Sequence, residues 1–263
     1  MKTGVKAGLA LLILVGSGVA QPVSSDQSET AVLIRAYPDF LAGVDSQNLL
    51  WKDGTKMPVV RSTVRSYTER LDRPGLLDQL DTPYPACASL GIPALNSDPG
   101  RARYEPLFKK MYGASAAQVQ KHLEEVNWFG QTVRVTSING VAASLRQVAQ
   151  EIGRHPDLFQ YARPSAGTFL WRRVAGTPRL RLSVHSFGAA IDLNTAYADY
   201  WLWRGLKEGQ PGIPYRNQMP LALVTIFERH GWIWCGRWYH SDTIHFEYRP
   251  ELTGSLACER AGR

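Results

Sequence analysis

Two short segments of this chain hold the residue types that metal-assisted hydrolysis needs. The first is Ser183-Val184-His185-Ser186-Phe187-Gly188-Ala189-Ala190-Ile191-Asp192. Gly188 allows a sharp bend into a strand, along which Ala189, Ile191 and Leu193 face one way and Ala190 and Asp192 the other. Small Ala190 leaves room above the sheet, and His185 comes back over that room from the preceding loop. The second segment is His240-Ser241-Asp242-Thr243-Ile244-His245-Phe246-Glu247, in which Ile244 and Phe246 face a core while Thr243, His245 and Glu247 face away from it. His185, Asp192 and His245 are the candidate ligands of one zinc ion per chain. Two imidazoles and a carboxylate leave the fourth zinc position open to water, the pattern of a catalytic site rather than a structural one. Asp242, three residues before His245, can stand beside such a metal without ligating it. Either segment alone fits a hydrogen-bonded His–Asp pair in a loop; the two together, with small residues interleaved, make a specific signal.

Other residues nearby have plainer readings. His240 either contacts substrate or is an ordinary loop histidine, and Glu247 is either a partner of His245 or half of a surface salt bridge. His122, His155 and His230 fall in or beside predicted helices, as surface or capping residues. Of Trp201, Trp203, Trp232, Trp234 and Trp238, most are expected in the core, with Trp238 the best candidate for the site because it leads into the second segment. Ser183 and Ser186 lack the GxSxG surround of a serine nucleophile.

The elements that position these segments are unevenly legible. From residue 21 to about 30 the chain is polar and reads as a loose tail, and from there to about 100 it is irregular, with Pro74-Gly75, Pro83, Pro85, Pro93 and Pro99-Gly100. A helix is predicted from Glu105 to Tyr112, stopped by Gly113, and another from Ser115 with Gln118 in capping-box position. Ser144 and Gln147 repeat that device ahead of an apolar face of Leu145, Val148, Ala149 and Ile152. Pro220 to His230 is a further helix, ended by Gly231. Strands are predicted over Thr132–Ser137, Thr168–Val174, Gly188–Leu193 and Thr243–Tyr248. With no βαβ rhythm, the fold class is α+β: a small, mainly antiparallel sheet with flanking helices and an irregular, partly helical N-terminal region.

Composition narrows the setting. The chain has 263 residues, 44% of them hydrophobic and 20% charged, which excludes a disordered or fibrous protein. Lys2, Lys6, the apolar run from Ala7 to Val19 and the small residues Gly18-Val19-Ala20 read as a signal peptide over 1–20, too short and too polar at its end to span a bilayer. The expected location is secreted or periplasmic, with no stable membrane insertion once the signal is cleaved. The net charge of +7 falls to about +5 without Lys2 and Lys6 and is scattered, which gives no support to nucleic-acid binding. Cys87, Cys235 and Cys258 in an oxidising compartment imply one disulfide and one free thiol; a Cys235–Cys258 bond would pin the C-terminal tail, but the pairing stays open.

The motifs SxHxxGxAxD and DxxH, the latter within HSDTIHFEYRPEL, resemble the zinc D-alanyl-D-alanine carboxypeptidase family, which includes D-Ala-D-Ala dipeptidases and L-alanyl-D-glutamate endopeptidases. The resemblance extends through GTFLWRRVAGTPRL and YARPS, and Asp53–Pro58 and Asp98–Gly113 are similar to the longer secreted members. It implies the α+β fold shared with the Hedgehog signalling domain, zinc on His185, Asp192 and His245, Asp242 as catalytic base and Arg172 as the oxyanion or carboxylate arginine, though Arg173 adjoins it. Cys235 stands where that family would have a second glycine. The implied organisation is a signal peptide at 1–20, an extension at 21–126 wrapping the core, a zinc peptidase domain at 127–252 and a tail at 253–263. The expected substrate is a peptidoglycan peptide carrying D-amino acids, cut by a monomeric D-Ala-D-Ala carboxypeptidase. The alternatives are an L-Ala-D-Glu endopeptidase and a non-catalytic zinc or cell-wall-binding protein. The region from residue 21 to about 126 is expected to wall off one side of the cleft, which favours short peptides.

Overall fold

The computed structural model describes residues 1, 25–64, 66–175 and 181–254. Residues 2–20 of the expected signal peptide, most of the expected tail and Cys258 lie outside them. Among the described residues no helix is long and apolar enough to cross a membrane.

The fold is α+β, built among the described residues on three small antiparallel sheets where one was expected. Helix α1 (Ser25–Ala36) is followed by β1 (Leu41–Val44), β2 (Asn48–Trp51) and β3 (Lys56–Pro58), which pair in that order. After α2 (Tyr67–Asp72) a long irregular stretch leads to α3 (Glu105–Tyr112) and α4 (Ala116–Gln120). The hairpin of β4 (Leu123–Trp128) and β5 (Gln131–Thr136) precedes α5 (Val141–Ile152) and short α6 (Phe159–Ala162). The last part holds β6 (Ala190–Asp192), α7 (Leu221–Arg229), β7 (Trp232–Trp234), β8 (His245–Tyr248) and α8 (Pro250–Thr253). Here β8 lies between β6 and β7.

Several elements form where their caps and periodicity place them. Gly113 ends α3 at φ 121°, the Ser115 hydroxyl accepts from the Gln118 amide at the start of α4, and α7 runs from N-cap Pro220 to a chain reversal at Gly231. Leu145, Val148 and Ile152 are buried as the apolar face of α5 predicts.

Three expectations fail for tertiary reasons, and one open question is decided. The loose tail is helical from Ser25 onward, because α1 buries Leu33 and leads into buried Tyr37, whose hydroxyl donates to Glu251 at 2.5 Å. Helix α5 begins at Val141, after left-handed Gly140, so Ser144 lies inside it; its hydroxyl donates to the His230 carbonyl at 2.6 Å and accepts from Trp232 Nε1 at 2.8 Å. Thr168–Val174 is not a strand, and only the isolated bridges Gly167–Asp192 and Arg173–Leu182 form there or beside it. Cys235 is a free, buried thiol whereas Cys87 is disulfide-bonded, so a Cys235–Cys258 bond is not made.

One apolar core joins the two ends of the chain. Leu33, Tyr37, Leu49 and Trp51 belong to the same buried cluster as Trp128, Val148, Ile191, Phe227 and Phe246. Within it the Phe246 ring stacks on Phe227 with centroids 4.1 Å apart, which fixes β8 against α7.

Candidate metal centre and active site

Strand register does most of the positioning. In the β6–β8 pair Asp192 lies directly opposite His245, and Ile191 opposite Phe246. Adjacent strand residues point to opposite faces, so burying Ile191 and Phe246 in the core puts Asp192 and His245 side by side on the other face. His185 arrives from the 3₁₀ turn Val184–Phe187, which ends at Gly188 with φ 65°. A Cβ there would lie 2.8 Å from Leu123 Cδ2 and 3.0 Å from the Thr136 amide nitrogen, so the left-handed turn and the close approach both require glycine.

The donor atoms converge. His185 Nε2 lies 3.1 Å from His245 Nδ1 and 3.1 Å from Asp192 Oδ2, and His245 Nδ1 lies 2.7 Å from Asp192 Oδ1. A tetrahedral zinc ion with bonds of about 2.0–2.1 Å separates its ligands by about 3.3 Å, so the spacing suits such an ion. The outer hydrogen bonds make the same point. His185 Nδ1 donates to the Thr168 carbonyl, and His245 Nε2 faces Glu247 Oε1 at 3.1 Å, a carboxylate that can only accept. Each ring is thereby left with a lone pair on its inner nitrogen. Two lone pairs and a carboxylate facing one another at about 3 Å repel unless a cation joins them. Without a metal that cation is a proton: burial would lower the His245 pKa, but Asp192 and Glu247 outweigh it and push it up to about 10. Burial likewise works against an ionised Asp192, yet the two imidazoles hold its carboxyl far below the usual range.

A second group, Cys235, His245 and Glu247, also converges, its candidate ligand atoms all within 4.8 Å. Burial pushes the Cys235 thiol well above its ordinary value, and Arg103 already engages Glu247 Oε1 at 3.1 Å. We read this side of His245 as its hydrogen-bonding side.

A cleft of about 210 Å³ reaches the donor site at His245 and is lined there also by Arg172 and Asp242. Burial pushes the Asp242 carboxyl up to about 7, with the charge of Asp192 adding to the rise and His245 and Arg172 working against it. Arg172 faces this cleft, whereas Arg173 is exposed and does not line it. The Ser186 hydroxyl sets the Arg172 backbone, donating to its carbonyl at 2.8 Å and accepting from its amide at 2.9 Å. Glu247 is buried against His245, not in a surface salt bridge, and His240 is 1% exposed at the cleft wall. Trp238 lines the cleft as anticipated, Trp232 and Trp234 are core, and Trp203 is 64% exposed.

The sequence reading named none of the N-terminal residues that line the cleft. Arg101 and Arg103 line the cleft from the N-terminal region, with Trp201 and Tyr200 beside them. Arg101 lies over the rings of both Trp201 and Trp238, at 5.5 and 5.9 Å from their centroids. Its guanidinium pairs with Asp98 at 3.2 Å and with Glu208 at 2.8 Å, and Glu208 is also gripped by Arg181. Only the cluster Asp98, Arg101 and Arg103 hinted at this, since partners more than a hundred residues away are not visible in a local pattern.

Residues 175–248 match the D-alanyl-D-alanine carboxypeptidase family, a span that opens before His185 and closes just after Glu247. Neither the curated proteins nor the solved structures include one that matches the chain. The converging donors lie inside the matched span, so it is the site-bearing segment 175–248 that is similar to the D-alanyl-D-alanine carboxypeptidase family.

Proposed function

We propose that the chain is an exported, zinc-dependent peptidase that hydrolyses D-amino-acid-containing peptides of the cell wall, removing a C-terminal D-alanine. The observation that carries this reading is the trio of inward-facing donors on His185, Asp192 and His245, the last of which lines a cleft together with Asp242 and Arg172. His185 Nε2, Asp192 and His245 Nδ1 would hold the zinc, which when bound supplies Lewis acidity strong enough to bring a water's pKa from 15.7 down to about 7. The Asp242 carboxylate accepts the proton of the attacking water and returns it to the leaving amine nitrogen. Arg172 donates to the oxygen that becomes anionic, an effect worth about 3 kcal/mol for a well-placed donor. Thr168 and Glu247 hold the two imidazoles in the tautomers that keep their inner nitrogens free.

Closure of the cleft by Arg101, Arg103 and Trp201 favours a short substrate with a free carboxyl end. An endopeptidase that cuts between L-Ala and D-Glu is the second reading, favoured by a groove of about 690 Å³ that shares Arg103 and Arg181 with the cleft and could seat a longer chain. The test is to purify the chain from residue 21, measure zinc, and incubate it with cell-wall peptides beside Asp242→Ala, following products by mass spectrometry. Zinc-dependent release of terminal D-alanine supports the carboxypeptidase, and an internal cut moves the chain to the endopeptidases. Stoichiometric zinc without cleavage of any peptide would refute both in favour of a binding protein.

A further inference from the structure

The residues just before the candidate base are held from the N-terminal region, residue against residue. The Tyr239 amide donates to the Ser97 carbonyl at 3.0 Å, the His240 amide to Asp98 Oδ1 at 3.0 Å, and Trp238 Nε1 to the Pro99 carbonyl at 2.8 Å. Thus 97–99 clamps 238–240, and Asp242 follows two residues later, its own amide donating to the Cys235 carbonyl at 3.2 Å.

The side chains tighten the clamp. Asp98 Oδ2 lies 2.5 Å from His240 Nδ1 and also accepts from the Tyr67 hydroxyl. On the far side of the ring, His240 Nε2 lies 2.9 Å from the Gly209 amide, which can only donate. His240 is therefore a neutral imidazole protonated on Nδ1, wedged between a carboxylate and an N–H. Tyr67 stacks on one face with centroids 5.3 Å apart, and Trp201 meets the ring edge-on at 4.8 Å. Asp98 and His240 are 6% and 1% exposed, so water cannot substitute for either partner. Gly209 adjoins Glu208, which is shared by Arg101 and Arg181 of the cleft wall.

We infer that Asp98 is a positioning residue for the 240–242 segment, so that the N-terminal region is a working part of the active site. Asp98 fixes the His240 tautomer, and that tautomer ties the loop carrying Asp242 to residue 98 on one side and residue 209 on the other. An asparagine at 98 cannot serve: if its carbonyl oxygen keeps the His240 amide, its NH₂ group meets the Nδ1 proton. Moving that proton to Nε2 sets it against the Gly209 N–H instead. The inference rests on reading Asp242 as the base of a peptidase.

The test compares the full mature chain with Asp98→Asn and Tyr67→Phe, all loaded with zinc. Zinc content, kcat and KM on a peptide that the parent cleaves are measured, with ¹⁵N NMR of His240 and amide exchange over 239–242. Asp98→Asn is expected to keep its zinc and KM while kcat falls about 10–100-fold, the usual effect of losing an outer hydrogen-bond partner. Its His240 tautomer should change, and exchange over 239–242 should rise while that of β6 and β8 stays protected. If Asp98→Asn does not fold, Tyr67→Phe carries the test, because it deletes one hydroxyl from the same carboxylate and keeps the ring stack. A several-fold lower kcat at unchanged KM is expected of it. A folded variant with unchanged kcat, or with wild-type exchange over 239–242, overturns the inference. A parent chain that cleaves nothing would sink the peptidase reading instead, and the NMR and exchange arms would still decide whether Asp98 orders the segment.

Discussion

At the scale of single residues, the site separates groups that would hold a metal from one that would move a proton. His245 faces Asp192 with one nitrogen and Glu247 with the other, so removing it disorders both sides. His245→Ala is expected to abolish zinc binding and turnover together, with zinc read by elemental analysis. It should also abolish the zinc-dependent rise in stability, about 2.7 kcal/mol in the parent when zinc is at 100 times its Kd. Asp242→Ala should retain zinc and lose about 10²–10⁴-fold in kcat, the span typical of a general acid–base group. A zinc-loaded, fully active Asp242→Ala protein would remove Asp242 from the mechanism. Glu247→Gln tests the outer partner: zinc affinity, measured by competition with a chelator, should fall about 10–100-fold. Glu247 was visible in the sequence only as a residue two along from His245 on one strand face, a spacing equally compatible with a surface ion pair.

At the scale of elements, the site depends on a turn and a register. The turn at Gly188 aims His185, and its carbonyl accepts the Thr136 amide at 2.9 Å, tying the turn to β5. Gly188→Ala would combine a φ of 65° with a Cβ 3.0 Å from a backbone nitrogen and 2.8 Å from Leu123. The expected cost is about 1–3 kcal/mol of stability, read by denaturant unfolding, with weaker zinc binding as His185 shifts. Helices α3, α4 and α7 were legible because caps and apolar periodicity are local signals. Strand β4 was not: Leu123-Glu124-Glu125-Val126 has little alternation, and β4 exists because β5 pairs with it throughout its length. Thr168–Val174 has strand composition, yet its backbone groups bond to the Ser186 hydroxyl and to scattered carbonyls instead of a ladder.

At the scale of the whole molecule, buried charge ties the N-terminal region to the site. Burial would raise the Asp98 pKa, but the His240 hydrogen bond, the charge of Arg101 and the Tyr67 hydrogen bond outweigh it and hold it at about 2 against an ordinary 3.8. A carboxyl depressed in the folded state stabilises the fold above its unfolded pKa, and that stability is lost as pH falls. The contribution is complete above about pH 5, shrinks below pH 4 and is largely gone at pH 2, a total of about 2 kcal/mol. Unfolding of the parent and Asp98→Asn at pH 6 and pH 2.5 checks this: the stability gap between them should narrow by most of that amount in acid. Because Leu33, Tyr37 and Trp51 share one core with Ile191 and Phe246, a chain starting at residue 127 is expected to lack a cooperative thermal transition by calorimetry.

The sequence by itself determined the α+β class and helices α3, α4 and α7, and it singled out three residues whose donor atoms converge, because residue type, alternation and glycine placement act over a few positions. It placed Asp242 beside the donors and Arg172 near them by motif. Only the tertiary structure decided that Asp192 lies opposite His245, that Thr168 and Glu247 hold the imidazoles, that Arg101 and Arg103 line the cleft, and that Asp98 grips His240. These are contacts between segments up to about 140 residues apart, set by how one core packs and by where buried charges find partners, and no local pattern encodes them.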